Sequence, residues 1–146
     1  MSAVEAKDIA QKLFDSMGIA AVVEVESDEP IYLTISSEDS ALLIGKGGDN
    51  LRAIQTMTNT LYRKLVQDGG YVGIDINGYK KDRVVKVQAI AQEAADKARE
   101  TGEDQHLKPM NAFERRSVHT LLSEDSDIIT DSEGEGVNRH IVIRKR

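Results

Sequence analysis

Three glycines within four residues, at positions 45–48, constrain this chain more than any other feature, because they interrupt an otherwise helical pattern. The apolar spacing predicts a short helix over residues 37–44 and a longer amphipathic helix over residues 49–66. Glycine adopts backbone torsions that other residues avoid, and it lets a bulky ligand approach the main chain closely. The loop therefore opens the second helix, whose free N–H groups and dipole favour an anion above it.

The loop Gly45-Lys46-Gly47-Gly48 has the parts of a phosphate clamp, because Lys46 adds a cation on a flexible side chain. A Walker-type loop requires Ser or Thr after its lysine, whereas Gly47 stands there. A dinucleotide-binding fingerprint requires a glycine at position 50 directly after a strand, whereas Asn50 follows a helical segment. We expect Asp49 to cap the helix that follows. A plain helix–helix turn, which needs only one glycine, remains the alternative interpretation of the loop alone.

The remaining pattern of the first half predicts a helical layer on a three-stranded sheet. A first helix over residues 4–17 is expected to bury Ile9, Leu13 and Met17. Alternating residues predict a hairpin at 22–36 and a third strand at 72–76. On the helix after the glycine loop, the expected inner face consists of Leu51, Ile54, Thr58, Leu61 and Leu65.

The second half predicts a smaller α+β unit with an alanine-rich helix, a second helix and two strands. Asn111 and Glu114 resemble a capping box at the start of the second helix, so that Glu114 has a structural role. The expected elements are helices at 80–100 and 111–122 and strands at 127–130 and 139–144. We place the two domains at residues 1–78 and 79–146.

The stretch from Leu42 to Gln55, which contains the glycine loop, resembles the KH nucleic-acid-binding domain. The element order is similar to the bacterial-type (type II) KH topology over about residues 3–78. The resemblance implies a grip on about four nucleotides of single strand, with the loop on the phosphates and bases in an aliphatic groove. It implies contacts from the loop glycines, Lys46 and Arg52. The implied groove consists of Ile44, Leu51, Ile54 and the exposed edge of the strand at 31–36.

Arg115 and His119 are four residues apart and share one helix face, where they can contact phosphate or ribose. Taken alone, the pair is more simply a solvated arginine beside a packed histidine. With the glycine-rich loop at 132–136 and the strand after it, the second half resembles the arginine–three-residues–histidine (RxxxH) domain, which binds single-stranded nucleic acid. That resemblance runs over about residues 80–146 and adds Arg139. The further basic side chains that we assign to this site are Arg116, Arg144 and Lys145.

A bacterial-type KH domain followed directly by an RxxxH domain resembles the Jag family, the stage III sporulation protein J-associated RNA-binding proteins. The resemblance implies a bacterial, non-enzymatic protein that binds single-stranded RNA and regulates genes after transcription, with a link to cell elongation or division. Two alternatives stay open. The ligand could be single-stranded DNA, or the chain could be an interaction scaffold that pairs with another small KH-domain protein. Many Jag proteins begin with a small N-terminal domain, for which we expect no counterpart in this sequence.

Composition narrows the other possibilities. The net charge of −6 counts against binding by bulk charge, so we expect local clamps rather than a broad positive field. The absence of cysteine excludes disulfides, cysteine-ligated zinc and thiol catalysis, and the three histidines lack metal spacing on one helix. We therefore expect no catalytic residue, metal, cofactor or small-molecule substrate. Without a long apolar run or a secretory leader, we expect no membrane span and a cytoplasmic protein.

Overall fold

The computed structural model describes residues 3–67 and 69–146 and confirms the predicted α+β fold. These residues form two compact units, which divide between Lys80 and Lys81. In chain order the elements are α1 (Ala3–Ser16), β1 (Val22–Asp28), β2 (Ile31–Ser36), α2 (Ser40–Ile44), a 3-10 turn (Lys46–Gly48), α3 (Asp49–Leu65), β3 (Val72–Ile76), α4 (Tyr79–Thr101), β4 (Gln105–His106), α5 (Ala112–Leu122), β5 (Ile128–Glu133), a second 3-10 turn (Gly136–Asn138) and β6 (His140–Lys145). Within the described ranges, every helix is too short or too polar to cross a lipid bilayer.

The first unit has a three-stranded sheet in the order β1-β2-β3, so that β2 is the central strand. β1 and β2 are antiparallel, and β2 runs parallel to β3. Leu33 on β2 lies opposite Ile74 on β3, and both side chains are fully buried beneath the helices. Every residue of β3 is buried: Val72, Ile74 and Ile76 belong to the core, while on the other face Gly73 lies against the Tyr32 ring and Asp75 accepts from the Lys80 N–H.

Helix α1 buries a face next to the one that the sequence predicts. Ala6, Ala10 and Phe14 are fully buried, whereas Met17 is 43% exposed, so the inward face is turned by about 60° from the predicted one. Small alanine side chains let α1 lie close to the sheet, and Phe14 fills the space beyond them. Ile9 and Leu13 are half-buried and Ile9 packs against the core, so the predicted face is confirmed in part and is wrong at Met17. The spacing of the larger apolar residues did not include the alanines that bring α1 to the sheet.

Helix α3 also differs from its predicted face at its C-terminal end. Leu51 and Thr58 are buried as expected, but the last inward position belongs to Tyr62, and Leu65 is 66% exposed. Asn59 is buried against the outer edge of β3, where its side chain accepts from the Val72 N–H and donates to the Val72 carbonyl, both at 2.8 Å. This side chain therefore takes the place of a neighbouring strand and fixes α3 against the sheet.

The second unit has three antiparallel strands in the order β4-β6-β5, one more than the sequence predicts. The additional strand, β4, has only two residues, which is too short for any periodic pattern. Ile141 and Ile143 of β6 are fully buried beneath α4 and α5. The helix residues that bury this face are Val87, Ala91, Ala95 and Ala98 of α4 and Val118 and Leu122 of α5.

Candidate nucleic-acid interface

All three loop glycines have the positive φ that favours glycine: 70° at Gly45, 60° at Gly47 and 83° at Gly48. A Cβ at Gly45 would lie 2.7 Å from the Asn50 side chain, and one at Gly48 would lie 3.2 Å from the Tyr79 ring. At Gly47 a Cβ would meet open space. Gly45 and Gly48 therefore allow close packing beneath the loop. At Gly47 the absence of a side chain leaves only main-chain atoms on the outer surface of the loop.

The N-terminus of α3 begins directly at this loop. Gly48 is its N-cap, and none of the described side chains accepts a hydrogen bond there, so the expected cap by Asp49 is wrong. Asp49 instead forms an ion pair with Arg52, one turn along the helix. Asn50, which stands where a dinucleotide fingerprint has glycine, donates from Nδ2 to the Leu42 carbonyl at 2.7 Å. The Gly48 and Asp49 N–H groups donate to the Gly45 and Lys46 carbonyls, so the N–H groups that α3 can offer to an anion are those of Asn50 and Leu51.

The charges at the loop are few and local. Lys46 is exposed, and among the described residues the structure records no ion pair for it. Arg52 is exposed, but its charge is partly offset by Asp49. Lys46 is therefore the main cation that the loop offers to a phosphate.

The predicted groove beside the loop is only partly present. Ile44 and Ile54 are half-buried and pack on the core, so their outer surfaces stay accessible. Leu51 is only 2% exposed and belongs to the core, and β2 is the central strand rather than an edge. The strand was misplaced because sequence spacing does not tell which strand lies in the middle of a sheet. Leu51 cannot line the groove because it lies on the inner face that the apolar spacing of α3 also predicts.

In the second unit, α5 presents the predicted arginine–histidine pair on one face. The His119 ring lies against β5, with Nδ1 2.7 Å from the Thr130 hydroxyl and Nε2 3.1 Å from the Ser132 hydroxyl. Arg115 is half-buried and donates from Nη1 to the Met110 carbonyl at 2.6 Å. Both side chains are thus held in place by hydrogen bonds while part of each remains accessible.

The start of α5 is fixed by the predicted capping box, which is confirmed. The Asn111 side chain accepts from the Glu114 N–H at 2.9 Å, and the Glu114 carboxylate accepts from the Asn111 N–H. Glu114 is 5% exposed and also accepts from Arg83 Nε at 2.9 Å. Glu114 is therefore a structural residue that fixes the start of α5, the helix that carries Arg115.

Comparison with protein families agrees with both halves of this geometry. The KhpA/KhpB KH domain matches residues 5–76, and the R-three-H domain, which is the RxxxH domain, matches residues 85–145. The chain belongs to the Jag family. Its first unit is a KH domain of the KhpA/KhpB type, and its second unit is an RxxxH domain.

Relatives resemble the Jag chain over nearly all of its length. A Clostridium symbiosum protein named RNA-binding protein KhpB is 30% identical over 95% of this chain and 64% of its own length. The protein of that name from Bacillus subtilis (strain 168) is 34% identical over 86% of this chain and 62% of its own length. That from Streptococcus pneumoniae serotype 2 is 29% identical over 97% of this chain and 43% of its own length. The chain thus spans less than two thirds of each of these relatives.

The other basic residues assigned to the RxxxH domain differ in how free they are. Arg116 is exposed, and among the described residues it has no recorded ion pair. Arg139 donates from Nη1 to the Gly134 carbonyl at 2.9 Å and braces the β5–β6 loop. Lys145 is exposed, with Nζ 3.4 Å from the Arg99 carbonyl. Arg116 and Lys145 are the side chains of this group best able to turn toward a ligand.

Arg144 has a different environment from the other basic residues. It forms ion pairs with Asp104 at 3.0 Å, Asp131 at 2.7 Å and Glu133 at 2.6 Å. Hydrogen bonds to Glu133 and Asp104 raise the pKa of Arg144 above its ordinary value, and the hydrogen bond from Arg144 lowers the pKa of Glu133. Three acids around one guanidinium leave the cluster negative, so Arg144 joins the strands rather than attracting a phosphate.

Sequence reasoning missed Phe113, which is 63% exposed on the first turn of α5. It lies three residues before Arg116 and therefore on the same side of the helix. An exposed phenyl ring beside a free guanidinium offers a stacking surface for a nucleic-acid base. The sequence did contain a signal for this residue: Phe113 is an aromatic residue on the polar side of α5, just after the capping box.

Proposed function

We propose that this Jag-family chain binds single-stranded RNA through two separate modest sites and catalyses no reaction. One observation carries the proposal. At Gly47, where φ is positive, the loop exposes only main-chain atoms, and it does so next to Lys46 and to the N-terminus of α3, which no described side chain caps. Backbone N–H groups and one mobile cation suit a phosphate, and this arrangement requires no particular base. The name RNA-binding protein KhpB, which the relatives carry, supports RNA as the ligand.

The RxxxH domain provides the second site. Arg115, His119 and Arg139 form its fixed part, and Arg116 with Lys145 provides mobile charge. Two modest sites on one chain raise the effective concentration of RNA at the second site once the first is filled. Because the chain has a net charge of −6, we expect weak non-specific binding to duplex. We further propose a cytoplasmic, post-transcriptional role linked to cell elongation or division.

The loop assignment can be tested with two matched glycine substitutions. Gly47 and Gly18 both have positive φ and open space at the Cβ position, so Gly47→Asp and Gly18→Asp add the same charge with similar strain. Titration of a labelled single-stranded RNA should show weak binding for Gly47→Asp and nearly unchanged binding for Gly18→Asp.

The second site is tested separately, because Arg115→Ala should weaken RNA binding at the RxxxH domain. Equal binding by wild type, Gly47→Asp and Arg115→Ala would refute the assignment, and competition with a matched DNA strand would decide the sugar.

A second candidate function is pairing with another KH domain. Met57, Leu61 and Leu65 lie four residues apart on α3, and Met57 and Leu65 are 52% and 66% exposed. Such an apolar stripe on a helix suits a helix–helix contact. Light scattering of the chain with and without RNA separates the two functions. A stable dimer that Leu65→Lys dissociates, with no change on adding RNA, would favour the scaffold.

A further inference from the structure

The sheet of the RxxxH domain carries different chemistry on its two faces. Thr130 and Ser132 of β5 hold His119 on the face that α5 covers. Because side chains alternate along a strand, Glu133 projects to the opposite, outer face. His140 lies directly opposite Glu133 in the β5–β6 ladder and shares that face. The outer face therefore places an imidazole beside a carboxylate, away from the arginine–histidine pair.

A second imidazole reaches the same place from β4. His106 is paired with Val142, which is two residues beyond His140 on the same face of β6. His106 Nδ1 lies 3.2 Å from His140 Nε2, and the ligand atoms of His106, His140 and Glu133 all lie within 4.8 Å of one another. Three strands thus bring together three side chains that the sequence leaves far apart.

The spacing of the two imidazole nitrogens suits one metal ion. Two nitrogens bound to a tetrahedral zinc at about 2.0–2.1 Å are about 3.3 Å apart, and the two histidine nitrogens are 3.2 Å apart. The other nitrogen of His140, Nδ1, lies 2.9 Å from the Asn138 carbonyl oxygen, which can accept its proton. This hydrogen bond leaves the lone pair on Nε2, as is usual for a histidine that binds a metal.

The surrounding charges also favour a dication. Arg144 donates to Glu133 at 2.6 Å and orients this carboxylate, as neighbouring groups do for metal-binding carboxylates. The single positive charge of Arg144 is exceeded by the negative charges of Asp104, Asp131 and Glu133. A divalent ion would therefore enter a region of net negative charge.

We propose that His106, His140 and Glu133 bind one Zn²⁺ ion on the outer face of the RxxxH sheet. The two imidazoles and one carboxylate form a borderline ligand set that zinc prefers, and water completes the coordination. Because the Glu133 ligand oxygen lies within 4.8 Å of both histidine nitrogens, a rotation of this side chain would bring it to the ion. The ion joins the two-residue strand β4 to the β5–β6 hairpin. This role is separate from RNA binding, because His119 faces the other side of the sheet.

The test uses the full chain without an affinity tag, after removal of metal with a chelator. Co²⁺ titration followed by visible absorption should show one tetrahedral site per chain, and Zn²⁺ should displace the cobalt. His106→Ala and His140→Ala should each weaken Zn²⁺ binding at least about tenfold. The remaining histidine supplies a matched control, because His119→Ala should bind zinc like the wild type. Circular dichroism checks that each variant is folded.

Histidine resonances in the NMR spectrum give a second measurement that does not depend on the variants. One equivalent of Zn²⁺ should shift the ring signals of His106 and His140 and leave those of His119 in place. The proposal is overturned if no saturable binding occurs, if both histidine variants bind as the wild type does, or if the His119 signals shift instead.

Discussion

Removal of the negative charge beside the glycine loop should strengthen RNA binding. Asp49 stands at the first turn of α3 and pairs with Arg52, and the two side chains are 65% and 59% exposed. Asp49→Asn removes a charge that repels phosphate and releases Arg52 at the same time. A gain of affinity is informative, because misfolding of a variant cannot produce it.

The expected gain follows from two modest effects. A carboxylate about 7 Å from a phosphate in water costs about 0.6 kcal/mol. An exposed ion pair between the released Arg52 and a phosphate adds about 0.5 kcal/mol. The total of about 1 kcal/mol corresponds to about fivefold tighter binding. Loss of an acid from the first turn costs the helix about 0.3–1 kcal/mol, so the thermal midpoint of Asp49→Asn should fall slightly.

Fluorescence anisotropy with a labelled single-stranded RNA at several salt concentrations measures both affinity and its salt dependence. One additional phosphate contact should steepen the salt slope by about 0.7 for a single strand. The double variant Asp49→Asn/Arg52→Ala should return this slope to that of the wild type. Asp8→Asn on the exposed side of α1 makes the same change in net charge away from the loop. Equal or weaker RNA binding by Asp49→Asn than by Asp8→Asn would refute the assignment of the loop.

Three further predictions concern single side chains. Asn59→Ala removes both hydrogen bonds to Val72 and should lower the free energy of unfolding by about 2–4 kcal/mol. Denaturant titration measures this loss. A loss under about 1 kcal/mol would contradict the role of Asn59 at the strand edge. Phe113→Ala should weaken RNA binding by about 1–3 kcal/mol if one base stacks there, and Phe113→Tyr should retain it. Burial, with smaller effects from Asp75 and Glu26, raises the pKa of Tyr32 to about 12. The buried, protonated Tyr32 side chain therefore stabilises the fold fully below pH 10, and this stabilisation is lost as the pH rises toward 12. Ultraviolet titration measures this pKa, and Tyr32→Phe should abolish that part of the alkaline loss.

Local patterns in the sequence predicted the parts of the site that depend on neighbouring residues. The three glycines of the loop, the capping box of Asn111 and Glu114, and the pair Arg115 and His119 all lie within short segments. Their conformations follow from torsion preferences and helix spacing, which act over a few residues. These features could therefore be found without any knowledge of the tertiary structure.

Features that depend on distant residues could not be predicted in this way. His106 and His140 come together only because β4 pairs with β6, and a strand of two residues leaves no periodic signal. The burial of Tyr62 rather than Leu65 on α3 depends on what the sheet offers opposite each position. Likewise, Arg144 pairs with Asp104 before β4 and with Asp131 and Glu133 on β5, so its charge looked free in the sequence. In each case tertiary packing decided between residues of similar local preference.

The side chain of Asn59 also affects how copies of this chain can associate. An open sheet edge invites strands from other molecules, but the main-chain groups of Val72 on β3 are already satisfied by Asn59. The opposite edge, β1, has an irregular register between Val25 and Ser27, which hinders continuous pairing. Edge-to-edge growth of the KH sheet into fibrous aggregates is thus opposed on both sides by different means. Asn59→Ala should expose the β3 edge and increase aggregation at high protein concentration.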